Sequence, residues 1–197
     1  NVDQTITTTG PEVFATLRIQ KTGGDLVLNS PIDIRTELDL SSGRIMNTAT
    51  ELVSMRAGSV ASNASDISFV HGPLQKLGNT PFTFPVGKGT NLRPCGLTGI
   101  TGGASSGFTA EYFPISAYTW GLPLEPTLDH VSDCEYWTID RSAGAGNAVV
   151  QLTWDTPESC GVTDPTDLRV ARWDIGLNIW QDRGNGGATA LAPFGTV

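Results

Sequence analysis

Apolar residues along this chain alternate with polar ones at a period of two, and Gly, Pro, Asn or Ser interrupts them every few positions. That pattern predicts short β-strands separated by turns. No window carries the apolar stripe at three- and four-residue spacing that an amphipathic helix needs. The strongest regularity lies early, where Leu26 and Leu28, Ile32 and Ile34, and Leu38 and Leu40 form three apolar pairs at intervals of six, continued more loosely by Ile45, Leu52 and Met55. Each pair reads as a strand fragment with both apolar side chains inward, bounded by turns such as Asn29-Ser30-Pro31 and Ser41-Ser42-Gly43. Fragments this short cannot hold a hairpin alone; stacked as rungs of a parallel β-solenoid they bury a continuous aliphatic ladder. An antiparallel meander is the other arrangement the pattern allows.

From about Ser68 the character changes. Phe69-Val70-His71-Gly72-Pro73-Leu74 and Phe82-Thr83-Phe84-Pro85-Val86-Gly87 alternate aromatic residues and stop them with Pro and Gly, after which longer alternating strands follow around Phe108, Ala110 and Tyr112, Trp137 and Ile139, Val150, Leu152 and Trp154, and Leu168 and Val170. Trp173 and Trp180 flank a Gly- and Asn-containing hairpin loop, Asp174 to Ile179. The fold class expected is all-β: a short N-terminal β-solenoid-like or meander region followed by an antiparallel β-sandwich. The division expected is an exposed N-terminal strand over residues 1–10, a solenoid-like region over 11–75 and a sandwich over 76–197.

Composition narrows the surface chemistry. Charged residues make up 16% of 197, Gly contributes 23, and the net charge is -8, a weakly charged polar surface that suits an extracellular β protein. The acidic balance and the scattering of 12 Lys and Arg argue against a nucleic-acid partner, and no apolar run is long enough to insert as a transmembrane helix. The opening Asn1-Val2-Asp3 lacks an initiator Met, which fits removal of a leader or a trimmed chain.

Cys95, Cys134 and Cys160 lack the close paired spacings of zinc or redox sites. Cys134 and Cys160 lie in polar, turn-like sequence, so a disulfide between them fits an oxidising compartment. Closing about 25 residues would stabilise by roughly 3 to 4 kcal/mol in the chain-entropy model. Three buried reduced thiols is the other reading.

Several phrases carry a resemblance: Leu38-Asp39-Leu40-Ser41-Ser42-Gly43-Arg44-Ile45, Phe69 to Lys76, Phe82 to Gly89, His130-Val131-Ser132-Asp133-Cys134-Glu135-Tyr136-Trp137, and Asp167 to Trp173. In these, over roughly residues 25–180, the chain resembles the β-rich repeat and sandwich modules of large secreted, adhesin-like surface proteins of Bacteroidetes-type bacteria. The resemblance implies a cell-surface location, export that often uses a C-terminal sorting domain, and no assigned activity. Cys95, after Arg93-Pro94, departs from the pattern and is expected as a free thiol or an intermolecular bridge. No sorting domain follows Pro193-Phe194-Gly195-Thr196-Val197, as expected where one has been removed or where the chain simply stops.

Candidate chemistry is sparse. The two histidines, His71 and His130, accompany no nucleophile elbow; Asp129 precedes His130, but a structural role is the expectation. Glu111, Glu125, Glu135, Asp140 and Asp155 form no recognisable carboxylate pair. No catalytic residue is named and the chain is not expected to be an enzyme. No cofactor is expected; calcium is the one ion considered, at Asp164 and Asp167 or Asp129 and Asp133. Tyr118 and Trp120, in a Gly- and Pro-rich loop, are the candidates for stacking on a glycan ring. The Thr-rich opening is poor in apolar side chains and lacks an evident place in its own core, which makes Val2, Thr5, Ile6 and Thr8 the candidate assembly strand. The function expected is an extracellular structural or adhesive subunit of a fibre, sheath or filament that binds copies of itself head to tail; the alternative is a carbohydrate-binding module of a larger secreted protein.

Overall fold

The computed structural model describes residues 2–187, 189–191 and 194–197; Asn1 of the opening segment and Pro193 of the closing one lie outside them. The fold is all-β, and the described residues include two three-residue 3-10 helices, Ala117–Thr119 and Pro165–Asp167. It divides into two compact units. Unit 1 comprises Asn1–Tyr112 with Trp137–Val149, and unit 2 comprises Phe113–Tyr136 with Val150–Val197.

Unit 1 opens with a parallel solenoid. Its strands are β1 (Gln4–Ile6), β2 (Glu12–Gln20), β3 (Leu26–Leu28), β4 (Ile32–Ser42), β5 (Ile45–Met46), β6 (Val53–Met55), β7 (Val60–Ser62) and β8 (Leu74–Leu77). β1, β3 and β5 form one parallel sheet; β2, β4, β6 and β8 stack in a second, with β7 beside the later part of β4. Gln4 pairs with Leu26 and Leu26 with Ile45, while Glu12, Ile32, Val53 and Leu74 follow one another in a second column. The chain therefore returns to the same place after 19 to 22 residues.

This corrects the six-residue spacing as a rung distance. Leu26 and Leu28 lie on β3, whereas Ile32, Ile34, Leu38 and Leu40 all lie on β4. The three pairs follow one another within a single coil, and between Ile34 and Leu38 the register of β4 with β2 slips by one residue. A period of six is a spacing within one coil; stacking follows from register over a full turn.

Burial explains why these residues are aliphatic. Leu28, Ile32, Ile34, Leu38, Leu40, Ile45, Val53, Met55 and Leu74 are all buried, most of them completely, and each inward side chain lies against the rungs above and below it. Side chains at the corners tie neighbouring rungs together. The Asp25 amide donates to the Asp3 carboxylate (2.8 Å), the Arg44 amide donates to Asp25 (3.3 Å), and the Gly72 amide donates to Asn47 Oδ1 (3.2 Å). At Gly72 a Cβ would collide with the Asn47 carbonyl, so glycine permits that close approach of rungs.

The remainder of unit 1 is antiparallel. β9 (Phe82–Phe84) pairs with β12 (Cys95–Thr98), and β10 (Gly87–Lys88) with β11 (Asn91–Leu92). β13 (Gly107–Phe113) runs antiparallel to β8, and β14 (Tyr136–Ala143) lies beyond it in the same sheet. β8, at the boundary expected near residue 75, is thus inside unit 1 and joins the parallel stack to its antiparallel cover.

In unit 2, β15 (Val149–Asp155) begins at the unit boundary. β16 (Ala171–Asp174) and β17 (Ile179–Asp182) form the hairpin expected between Trp173 and Trp180, which face each other in register, and β18 (Thr189–Leu191) and β19 (Phe194–Thr196) complete an antiparallel set with β15. The core of unit 2 gathers Ala117, Leu128, Val131 and Trp180, with Tyr118, Leu124, Tyr136, Ala171 and Trp173 packed around them. Cys134 and Cys160 are joined by a disulfide with Cα atoms 5.7 Å apart.

Truncating a middle-rung side chain should cost far more than truncating one in the first rung. Leu38→Ala, at a fully buried position, is expected to lower unfolding free energy by about 2–5 kcal/mol, and Ile6→Ala, half-buried on β1, by about 1 kcal/mol. Urea titration of both variants checks this; equal losses would contradict the stacked-column account.

Candidate functional site

The first rung of the solenoid differs from those that follow. In the column where the second rung has Leu26 and Ile32, the first has Gln4 and Glu12. Its apolar inward residues are incompletely covered: Ile6, Phe14 and Leu17 are half-buried, while their partners Leu28, Ile34 and Leu38 are buried. A hollow of about 360 Å³ opens at this end, floored by Ile6, Leu17, Ile19 and Leu26 and edged by Gln4, Arg18, Gln20 and Lys21.

Backbone groups along this end are also open. In parallel pairing the N–H and C=O of one residue point to the same side, alternating along the strand. The Gln4 amide donates to Asp25 O (2.9 Å) and Ile6 O accepts from the Asn29 amide (2.9 Å), so both groups of Thr5 point away from β3. The Glu12 amide donates to Pro31 O (3.3 Å), so those of Val13 point away from β4. Among the described residues, nothing pairs with the outer edges of β1 and β2.

The rim is cationic and polar. Arg18 Nε donates to the Asp39 carboxylate (2.6 Å), and Lys21 Nζ donates to Gln4 Oε1 (3.0 Å). Hydrogen bonds from Asn63 and Ser41, then the Arg18 pair, hold the Asp39 carboxyl below its ordinary value; Asp39 is thereby a fixed anchor for Arg18.

The assembly strand expected from the sequence lies here, with one correction. It has a firm place in its own chain, because Thr5 and Ile6 pair with Val27 and Leu28, and the Thr8 amide donates to Ser30 Oγ (2.9 Å). Only its outer edge is free of strand pairing, and Val2 is 80% exposed. Sequence reasoning missed β2, whose longer outer edge belongs to the same site. The alternation of Val13 between Glu12 and Phe14 gave no sign of which neighbour was absent.

The glycan candidates separate. Tyr118 is packed in the core of unit 2, and its hydroxyl accepts from the Val131 amide (3.4 Å), so it is not available with Trp120 as an exposed pair. Trp120, 44% exposed, stands edge-on to Tyr136 at 6.1 Å, and Tyr136 stacks on Phe113 at 5.0 Å. The partnership of Tyr136 and Phe113 with a loop tryptophan spans too much sequence to be visible in local alternation.

The acidic residues are engaged locally. Glu111 meets Lys88 (2.7 Å), Glu125 accepts from the Asp182 amide (2.8 Å), Glu135 accepts from the Ser159 hydroxyl, Asp155 accepts from the Glu158 amide (2.6 Å), and Asp140 is exposed on β14. Asp164 caps the helix Pro165–Asp167 through the Thr166 amide (2.9 Å), while Asp129 sits beside His130 (3.1 Å) with both exposed. Among the described residues no group of three or more His, Cys, Asp or Glu gathers as metal ligands, and no helix is long and apolar enough to cross a membrane.

Cys95 is a free thiol, but it is 1% exposed and burial pushes its pKa up to about 12. That overturns the intermolecular bridge, since a second chain cannot reach its sulfur. No protein-family model, curated protein or solved structure matches the chain.

Two outcomes follow. Cys95 should resist thiol reagents at neutral pH in the native protein and react stoichiometrically once urea unfolds it, because thiolate and access are both lacking before then. His71 stacks beside Phe69 and accepts the Gly89 amide at Nε2 (3.3 Å). Burial, then Lys88 and Arg44, lowers its pKa below the ordinary 6.5 despite Asp25 and Glu111 nearby. The unfolded chain therefore binds this proton more readily: the histidine's contribution is present above about pH 6.5 and is lost as pH falls through the lower folded value. Denaturant midpoints measured from pH 7.5 to 5 should decline, and His71→Gln should flatten that segment.

Proposed function

We propose that this chain is an extracellular structural or adhesive protein, a subunit of a surface fibre, sheath or filament joined to its copies by β-strand edge contacts at the open end of the solenoid, without a catalytic role. The observation that carries this reading is the asymmetry of the parallel stack. One end is covered by antiparallel β13, while the other presents unpaired edges on β1 and β2 and a partly uncovered apolar interior. An unpaired edge is a template for another chain. If the surface it meets on a neighbour is a different one, the contact repeats without closing and a filament grows.

Supporting features agree with a surface location. The Cys134–Cys160 disulfide suits an oxidising compartment, and the resemblance of the sequence phrases to secreted adhesin-like modules points the same way. Among residues 12–20 of β2 there is no proline and no lysine to block an incoming strand.

A second reading has its own observation. Trp120 with Tyr136 and Phe113 forms a partly exposed aromatic group of the kind that stacks on sugar rings, which supports a carbohydrate-binding module. Under that reading Trp120→Ala abolishes glycan-array binding with circular dichroism unchanged, and a native protein that binds no glycan removes it.

The filament reading is tested by Thr5→Pro with Val13→Pro. Both amides point away from their own sheet, so proline removes no hydrogen bond within the chain and blocks only an incoming strand. Native protein is expected to form regular filaments in negative-stain electron microscopy at high concentration, and the double variant to remain monomeric with a melting temperature within a few degrees. A native protein that sediments as a monomer throughout overturns the reading.

A further inference from the structure

The β16–β17 hairpin ends in a turn with more order than its exposure requires. Asp174 Oδ1 accepts from the amides of Gly176 and Leu177, both at 2.9 Å, and Asp174 O accepts from the Asn178 amide at 2.7 Å. Asn178 adopts the left-handed conformation at φ 56 that closes the turn. Below it, Trp173 and Trp180 pack edge to face at 5.6 Å and Trp180 Nε1 donates to Gly121 O at 3.0 Å. At the tip, however, Ile175 is 83% and Leu177 67% exposed. Two large aliphatic side chains thus stand exposed on a rigid support, the arrangement that a preorganised docking element requires.

Unit 1 contains a complementary surface in the hollow at the end of the solenoid. Its floor is Ile6, Leu17, Ile19 and Leu26, and its rim carries Arg18 and Lys21. Charge separates the two units in the same sense. Unit 2 holds ten of the twenty Asp and Glu but three of the twelve Lys and Arg, a net charge of -7, and unit 1 holds the rest, a net charge of -1. The three cations of unit 2, Arg169, Arg172 and Arg183, lie on or beside the hairpin strands and Arg18 is paired with Asp39, so the charge match at the joint comes from Asp174 on the tip and Lys21 on the rim. Asp174 at the root of the tip offers a carboxylate to Lys21, whose ammonium otherwise meets Gln4 Oε1.

We infer that the hairpin tip of one copy docks into the solenoid-end hollow of the next, Ile175 and Leu177 covering Ile6, Leu17 and Leu26. The inference rests on the filament reading and names the piece of the neighbour that fills the joint. Each copy has one tip and one hollow, so the contact is head to tail and propagates. It also covers the apolar side chains that the first rung leaves incompletely buried.

Full-length Gln20→Cys/Leu177→Cys protein tests the geometry. Cys95 is buried and Cys134 and Cys160 are paired, so the introduced thiols are the reactive ones. Mild oxidation is expected to yield a ladder of covalent multimers, with each single variant stopping at dimers. In parallel, Ile175→Ser/Leu177→Ser is expected to raise the concentration needed for assembly by about tenfold per side chain, with circular dichroism unchanged because both positions are exposed. Filaments that survive the serine variant, with no ladder, overturn the tip contact and leave the filament reading standing. Monomeric native protein with no ladder overturns both. A ladder from protein that forms no filaments upholds the tip contact and removes the filament reading.

Discussion

Every inward aliphatic side chain in the solenoid depends on a neighbour in the rung above and another in the rung below. A coil of some twenty residues encloses too little volume to shield its own interior, so Leu38 or Ile45 is dry only because the stack continues on both sides. Each such side chain gains about 1.5–3 kcal/mol when fully removed from water, and that gain is incomplete wherever the stack stops. The two ends solve this differently. At β8 the chain turns back and lays antiparallel β13 on the edge. At β1 and β2 it places Gln4 and Glu12 in the column that Leu26 and Ile32 occupy one rung later. These polar substitutions reduce the apolar surface at stake, but Ile6, Phe14 and Leu17 remain half covered.

Much of the architecture was legible from alternation. The absence of helical periodicity, the apolar pairs over residues 26–40 and the hairpin between Trp173 and Trp180 are all local patterns, and the structure has each of them, while the Cys134–Cys160 disulfide, 26 residues apart, settles between two readings that the cysteines allowed. What the sequence obscured was the length of a rung. Leu26, Ile32 and Leu38 are similar residues at equal spacing, and nothing local says whether they stack upon one another or follow around one circuit. Register decides, and register depends on contacts about twenty residues away. The same limit hid the edge of β2 and the grouping of Trp120 with Tyr136 and Phe113, because absent neighbours and distant ones leave no mark in alternation.

The chemistry-bearing residues are used mainly to hold turns and rungs in place. Carboxylates at Asp3, Asp25, Asp164 and Asp174 accept backbone amides that their local folds would otherwise leave unpaired. Buried Lys76 does the converse, donating from Nζ to the carbonyls of Arg56 (3.0 Å) and Leu77 (2.6 Å) and lying over the ring of Phe82. With charge committed to backbone capping, a chain that is 16% charged can still close many short loops, which the nineteen short strands among the described residues require.

The bonds that join one corner to the next also set the order in which the solenoid comes apart. A nearly one-dimensional array loses its elements from whichever end is held least, since an interior rung must break two interfaces to open and a terminal rung only one. The Asp3 carboxylate that accepts the Asp25 amide belongs to the rung with one interface, so local opening begins at β1 and β2 and moves inward toward β4. Amide hydrogens along the stack consequently exchange with solvent on a graded timescale, fastest in the first rung. Occupation of that end extends protection to the residues behind it without altering a single contact among them.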